Sequence, residues 1–145
     1  MPASQLRSFR PRRVLVVDDD PAIRELVATR LDLSGCETRE ARNGQQAIER
    51  IAEFRPEAMV LDLSMPVLDG FGVLSYLRNR NGPPVPTMVL TARHSREDVA
   101  RCLQLGARDY LAKPFNEGQL LLRVARLLIW AKRESPEPSP EPLLR

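Results

Sequence analysis

Three short apolar runs, Val14 to Val17, Met59 to Leu61 and Met88 to Leu90, stand out along the chain, each bounded by polar or turn-forming residues. Continuous runs of that length predict strands buried on both faces. Between them the apolar spacing becomes helical: Ile23, Leu26, Val27 and Leu31 share a face, as do Ala47, Ile48, Ile51 and Ala52, and then Val73, Leu74 and Leu77. The boundaries carry matching chemistry. Asp20 before Pro21 is an N-cap followed by a helix-starting proline, Asn43 suits the cap of the second helix, and Gly35 suits the end of the first. Glu37 to Ala41 and Tyr110 to Ala112 are more polar or shorter than the three apolar runs and suit sheet edges. A last helix is predicted over Asn116 to Arg133.

Strand and helix therefore alternate, which predicts an α/β fold with five parallel strands joined by right-handed crossovers, helices covering both faces. Placing strands one, three and four in the middle gives a doubly wound sheet of order 2-1-3-4-5. Such a sheet binds its ligand beyond the carboxyl ends of the strands, at the switch point between strands one and three. One domain is expected over residues 13–133. A mobile basic arm, residues 1–12, precedes it. A Pro-rich tail or linker, residues 134–145, follows, because the prolines between Glu134 and Pro142 are incompatible with helix or central strand.

Composition narrows the class. At 145 residues with 43% hydrophobic and 28% charged, the chain has material for a core without disulfide or metal staples. No apolar run approaches the roughly 18 residues a membrane span needs, and no apolar segment follows the N-terminal arginines, so a soluble cytoplasmic protein without a membrane partner is expected. Cys36 and Cys102 have no CxxC spacing and only His94 for company, which suggests neither zinc nor a disulfide framework. The net charge is +3, and arginines and lysines cluster near the two ends, at Arg7, Arg10, Arg12 and Arg13 and at Arg123, Arg126, Lys132 and Arg133, with a single aromatic residue in each cluster, Phe9 and Trp130. That distribution reads as solvated surface rather than a nucleic-acid footprint.

The predicted topology brings the candidate chemistry together. Asp18, Asp19 and Asp20 follow strand one and Asp62 follows strand three. Carboxylates so gathered repel by roughly 4 kcal/mol per pair at about 4 Å and an effective dielectric near 20, so they call for a hard cation. Mg²⁺ suits them, since it takes one or two carboxylates and completes its shell with water and phosphate oxygens. Asp20 is already explained as a helix cap. Thr91 at the end of strand four offers a hydroxyl and Lys113 after strand five an ammonium. Metal, positive charge, a hydroxyl and a carboxylate nucleophile on one rim are what phosphoryl transfer requires. Taken one at a time, Thr91 also reads as a cap of the fourth helix and Lys113 as a turn residue set by Pro114.

The chain resembles the receiver domains of two-component response regulators, whose fold is flavodoxin-like. The resemblance rests on Val17-Asp18-Asp19, Asp62-Leu-Ser-Met65-Pro66 with Asp69-Gly70, Thr91-Ala92, Gly106-Ala107, and Tyr110-x-x-Lys113-Pro114-Phe115, and covers about residues 13 to 130. It implies that Asp62 accepts the phosphoryl group and that Asp18, Asp19, Asp62 and the backbone carbonyl of Ser64 hold Mg²⁺. It further implies that Lys113 binds a phosphoryl oxygen, and that Thr91 and Tyr110 form the switch. Ser64 and Arg93 match positions said to tune dephosphorylation. The implied partner is a sensor histidine kinase or a histidine phosphotransfer protein. The domain would assist its own phosphoryl transfer and hydrolysis rather than act as an enzyme on other substrates.

The last helix carries more apolar residues than one stripe needs. Leu120, Val124, Leu127, Leu128 and Ala131 fall on one face and Leu122 and Ile129 nearly opposite. Leu122 and Ile129, with Asp109 and Arg123, are therefore interface candidates for a phosphorylation-dependent homodimer. The stretch from Asp109 through Arg123 resembles regulators with winged-helix DNA-binding outputs, although Arg108 and Gln119 stand where acidic residues are usual there. DNA binding would require an output domain outside this chain. Two other readings are a receiver-like interaction domain not regulated by phosphorylation and a haloacid-dehalogenase-type phosphatase. The phosphatase places a second acid two residues after its nucleophile, where this chain has Ser64.

Overall fold

The computed structural model describes residues 10–134 of the chain. Strands and helices alternate in the order β1 (Arg13–Val17), α1 (Pro21–Leu33), β2 (Glu37–Ala41), α2 (Gly44–Phe54), β3 (Ala58–Leu61), α3 (Gly70–Asn79), β4 (Thr87–Thr91), α4 (Arg96–Gln104), β5 (Asp109–Ala112) and α5 (Glu117–Glu134). The strands form one parallel sheet of order β2-β1-β3-β4-β5. Most of the arm, and the Pro-rich tail beyond residue 134, lie outside the described residues.

The apolar runs are central for the reason their composition suggests. Alternate residues of a strand point to opposite faces, and both faces are covered here. Val14, Val16, Val60, Met88 and Leu90 pack with Val27 and Leu31 of α1 and Leu120, Val124 and Leu127 of α5. Leu15, Val17, Met59, Leu61 and Val89 pack on the other face with Ala47 and Ile51 of α2, Phe71, Val73 and Leu74 of α3, and Cys102 of α4. Each large apolar side chain removed from water contributes roughly 2 kcal/mol, so the two layers fix which strands lie inside. The edge strands β2 and β5 bury less.

Local chemistry sets the helix ends. Asp20 accepts from the Ala22 N–H at 2.9 Å ahead of Pro21, and Asn43 accepts from the Gln46 N–H at 2.8 Å. Gly35, in the left-handed region at φ 101°, closes α1, with its N–H on the Asp32 carbonyl and the Cys36 N–H on that of Leu31. The cap of α4 is Ser95, which accepts from the Asp98 N–H, not Thr91, which ends β4 four residues earlier. Both thiols are free, and burial pushes both up from their ordinary range.

The basic residues at the domain's start are not all solvated. Arg12, assigned by the sequence to the mobile arm, is fixed: its Nε pairs with Glu57 and its guanidinium donates to the Leu128 carbonyl at 3.1 Å. Arg13 donates through Nε to the Phe54 and Arg55 carbonyls, at 3.1 and 2.9 Å, and its N–H donates to Glu57 at 3.0 Å. Glu57 and the carbonyls at the end of α2 thereby lock the entry to β1. Because these groups keep about a third of their exposure, the expected effect is modest. Arg12→Ala should lower the stability by about 1 kcal/mol, read as a lower urea midpoint at unchanged slope.

Candidate functional site

The strand register places the acidic residues. Val17 lies opposite Ala41 on one side and Leu61 on the other, so β1, β2 and β3 end level. The parallel ladder then runs one residue further: the Asp18 N–H donates to the Ala41 carbonyl at 3.1 Å and the Asp62 N–H to the Val17 carbonyl at 2.9 Å. Asp18 and Asp62 are thus held by the sheet itself and not by loops. At the other side Thr91 lies opposite Ala112, and the Lys113 N–H donates to the Thr91 carbonyl at 2.9 Å. Four strand ends deliver the site, as the topology predicts.

Asp18 and Asp62 are 3% and 5% exposed, whereas Asp19 faces solvent. One carboxylate oxygen from each of the three lies within 4.8 Å of the others. Lys113 Nζ bridges the buried two, at 2.7 Å from Asp18 Oδ2 and 3.5 Å from Asp62 Oδ2. The remaining oxygens are held by the backbone: Asp18 Oδ1 accepts from the Asp20 N–H at 3.0 Å and Asp62 Oδ1 from the Leu63 N–H at 2.8 Å. Burial pushes the Asp18 carboxyl above its ordinary value and the charge of Asp62 adds to this, against the Lys113 and Asp20 hydrogen bonds. For Lys113 burial acts downward, but the hydrogen bond to Asp18 and the Asp62 charge outweigh it and the ammonium is held above its usual range. Three carboxylates face one ammonium, so the site carries excess negative charge. Hard oxygen donors in that number, short of positive charge, fit a divalent metal ion.

The floor under Asp62 is glycine. A Cβ on Gly70 would come within 2.3 Å of the Asp62 carbonyl oxygen and 2.8 Å of the Leu63 Cα. The first turn of α3, capped by Asp69 on the Gly72 N–H, can approach the end of β3 that closely only without a side chain there. Asp69 and Gly70, quoted from the sequence as a motif, are thus a cap and a close approach rather than ligands.

The two residues assigned to the switch meet through one loop residue. Thr91 is buried, and its Oγ1 accepts from the Arg93 N–H at 3.1 Å. The half-buried Tyr110 donates its hydroxyl to the Arg93 carbonyl at 2.5 Å. The Arg93 side chain pairs with Asp98 in the first turn of α4, at 3.0 and 3.2 Å, and holds that carboxyl below its usual value. Ser64 is exposed beside the cluster. Among the interface candidates, Arg123 pairs with Asp109 at 2.6 Å within the chain, while Leu122 and Ile129 are both 54% exposed.

Sequence reasoning passed over Arg24. Its Nη1 donates to the Asp18 carbonyl at 2.9 Å and its Nε to Glu40 of β2 at 3.0 Å. The signal was present in its position, four residues after the Asp20 cap, from which a helical side chain leans back toward the N-terminus.

Residues 14–125 match the family described as the response regulator receiver domain. The chain is similar to response regulator MprA of Mycobacterium sp. (strain KMS), 44% identical over 131 residues that make up 90% of this chain and 55% of that protein. It is similar also to response regulator MprA of Mycobacterium ulcerans (strain Agy99), at 46% over 125 residues, 86% of this chain and 53% of the relative. The chain therefore spans about half the length of these curated relatives. Among solved structures it is similar to a CheY-like response regulator receiver domain protein from Methanospirillum hungatei JF-1, with TM-score 0.81, 25% identity, and coverage of 87% of this chain and 100% of that one. The receiver domain of Francisella response regulator 1452 gives TM-score 0.77 and 35% identity over 86% of this chain and 99% of its own.

Proposed function

The chain belongs to the response regulator receiver family, and from that membership we propose that Asp62 takes the phosphoryl group, with Mg²⁺ held by Asp18, Asp19, Asp62 and the Ser64 carbonyl. It is a signalling domain, and its family implies a histidine kinase as partner; a phosphotransfer protein carrying the same phosphohistidine chemistry serves equally. The observation that carries the proposal is the bridge of Lys113 between two buried carboxylates at the carboxyl ends of β1 and β3.

Asp62 is the member of the cluster suited to attack. Its carboxylate is buried and oriented, with Oδ1 on the Leu63 N–H and Oδ2 turned toward Lys113. Asp18 is committed on both oxygens, to Lys113 and the Asp20 N–H. In the transfer an Asp62 oxygen forms a bond to phosphorus while the P–N bond of the donor phosphohistidine breaks; the imidazole keeps the bonding pair and takes a proton. The metal ion, when bound, supplies charge neutralisation for the carboxylates and the phosphoryl oxygens. Lys113 adds positive charge to an equatorial oxygen, and Thr91, whose hydroxyl accepts from Arg93 and keeps its own proton free, donates to another.

The added phosphoryl group brings nearly two negative charges near neutral pH. Recruiting Thr91 to it draws on the Arg93 peptide group, and so on the Tyr110 hydroxyl bound to the Arg93 carbonyl. That link supports a switch running from Asp62 to the surface formed by α4, β5 and α5. Exposed Leu122 and Ile129 on that surface support a homodimer that strengthens on phosphorylation. The segment from residue 13 to residue 133 works as the receiver, and DNA is reached only through an output domain outside this chain.

Acetyl phosphate with Mg²⁺ should add one phosphoryl group by intact mass, labile to hydroxylamine and absent when EDTA replaces the metal. No addition, or a label that survives hydroxylamine, would contradict an aspartyl phosphate.

A further inference from the structure

We propose that Arg24 is a positioning residue for the metal site, fixing the peptide between Asp18 and Asp19 so that Asp19 is placed within reach of the metal held by Asp18 and Asp62. The inference rests on the Mg²⁺ reading above and deepens it.

The end of β1 is where the sheet stops holding the chain. Up to Asp18 the N–H groups are paired across the ladder, but the Asp18 carbonyl lies past the last residue of β2 and has no strand partner. Arg24 supplies that partner through Nη1 at 2.9 Å. The same guanidinium is anchored on the other side by Glu40 at 3.0 Å, and its side chain is only 18% exposed. The backbone of Arg24 is tied to the same turn, its N–H donating to the Asp20 carbonyl at 2.9 Å. Asp18 itself is pinned on both carboxylate oxygens.

Asp19 is different. Among the described residues its carboxylate accepts no hydrogen bond, yet one of its oxygens lies within 4.8 Å of those of Asp18 and Asp62. No described side chain holds it, so the backbone decides where it starts from and how near the cluster it can come. A planar peptide held at its carbonyl end fixes where the Asp19 N and Cα lie, and it is Arg24 that holds that end. A bidentate fork suits the task, because one group must donate in two directions at once, to a carbonyl and to a carboxylate on a neighbouring strand. Outer-shell groups of this kind orient the ligands of metal sites, and their loss typically weakens metal binding by about 10- to 100-fold.

Charge and position make opposite predictions, which gives a clean test. A guanidinium near a cation site repels the cation, so a bystander arginine would weaken Mg²⁺ binding and its removal would tighten it. A positioning arginine does the reverse. Mg²⁺ titration of the full chain by isothermal calorimetry, without any phosphodonor, should show Arg24→Ala binding about 10-fold more weakly than wild type. Arg24→Lys should be nearly as weak despite keeping the charge, since one ammonium cannot reproduce the fork. Glu40→Gln, which loosens the anchor from the far side and leaves Arg24 in place, should fall between and covers the case in which Arg24→Ala does not fold. Unchanged or tighter binding in Arg24→Ala, or full rescue by Arg24→Lys, overturns the positioning role. If wild type itself takes up no Mg²⁺, it is the metal assignment that fails, together with this inference.

Discussion

Asp62→Asn is expected to abolish phosphorylation by acetyl phosphate, with no residual label at Asp18 or Asp19, while leaving the domain folded. A carboxamide oxygen is not a nucleophile at neutral pH, and the neighbouring acids are badly placed to substitute: Asp18 is held on both oxygens and Asp19 faces solvent. The fold should tolerate the change for an electrostatic reason. Asp62 is repelled by the buried Asp18 carboxylate within 4.8 Å, on the order of 3 kcal/mol at an effective dielectric near 20, more weakly by solvent-screened Asp19, and attracted by Lys113 at 3.5 Å by about 5 kcal/mol. Repulsion and attraction come close to cancelling. The metal-free thermal midpoint of Asp62→Asn should therefore lie close to that of wild type. A variant that labels as well as wild type would remove Asp62 from its role, and a much lower midpoint would show that the balance of charge is wrong.

Lys113→Ala should produce the largest loss of stability in the site and a large loss of transfer rate. Without the ammonium, Asp18 and Asp62 remain almost fully buried with no positive partner, and breaking a buried pair in that way costs about 3–5 kcal/mol. Saturating Mg²⁺ should restore part of this, because a ligand that binds only the folded state stabilises it by mass action. The rate of phosphorylation should fall about 100-fold, the usual effect of removing one preorganised group from a developing anionic centre. Urea unfolding with and without Mg²⁺, together with a phosphorylation time course, measures both. An unchanged urea midpoint in the absence of metal would contradict the account of the charge cluster.

Much of this was legible in the chain because the determinants are local or periodic. A strand covered on both faces shows as an unbroken apolar run, and three such runs with two that are shorter or more polar fix which strands are central. Asp20, Asn43 and Gly35 declare helix ends through their own side chains or φ. Asp18, Asp62 and Lys113 follow directly once strand order is known, since each stands one position beyond a strand, and Asp19 comes next after Asp18.

What escaped depends on distance in sequence. Arg12 looks like part of a basic arm until Glu57, 45 positions away, and the Leu128 carbonyl come beside it. Arg24 looks like one more charged helix residue until the end of β1 and Glu40 lie beside it. Thr91 and Ser95 are both plausible caps by composition, and only the point at which β4 ends distinguishes them. The reason Gly70 must be glycine is the backbone of a different element, at Asp62 and Leu63.

The identity of the phosphorylated residue is the claim on which the rest depends. Reducing the acetyl phosphate-treated protein with borohydride converts an aspartyl phosphate into homoserine, and peptide mass spectrometry then locates it. The modification is predicted at Asp62 alone. Homoserine at Asp18 or Asp19, or a phosphoryl group found instead on His94, a serine or a threonine, would contradict the assignment.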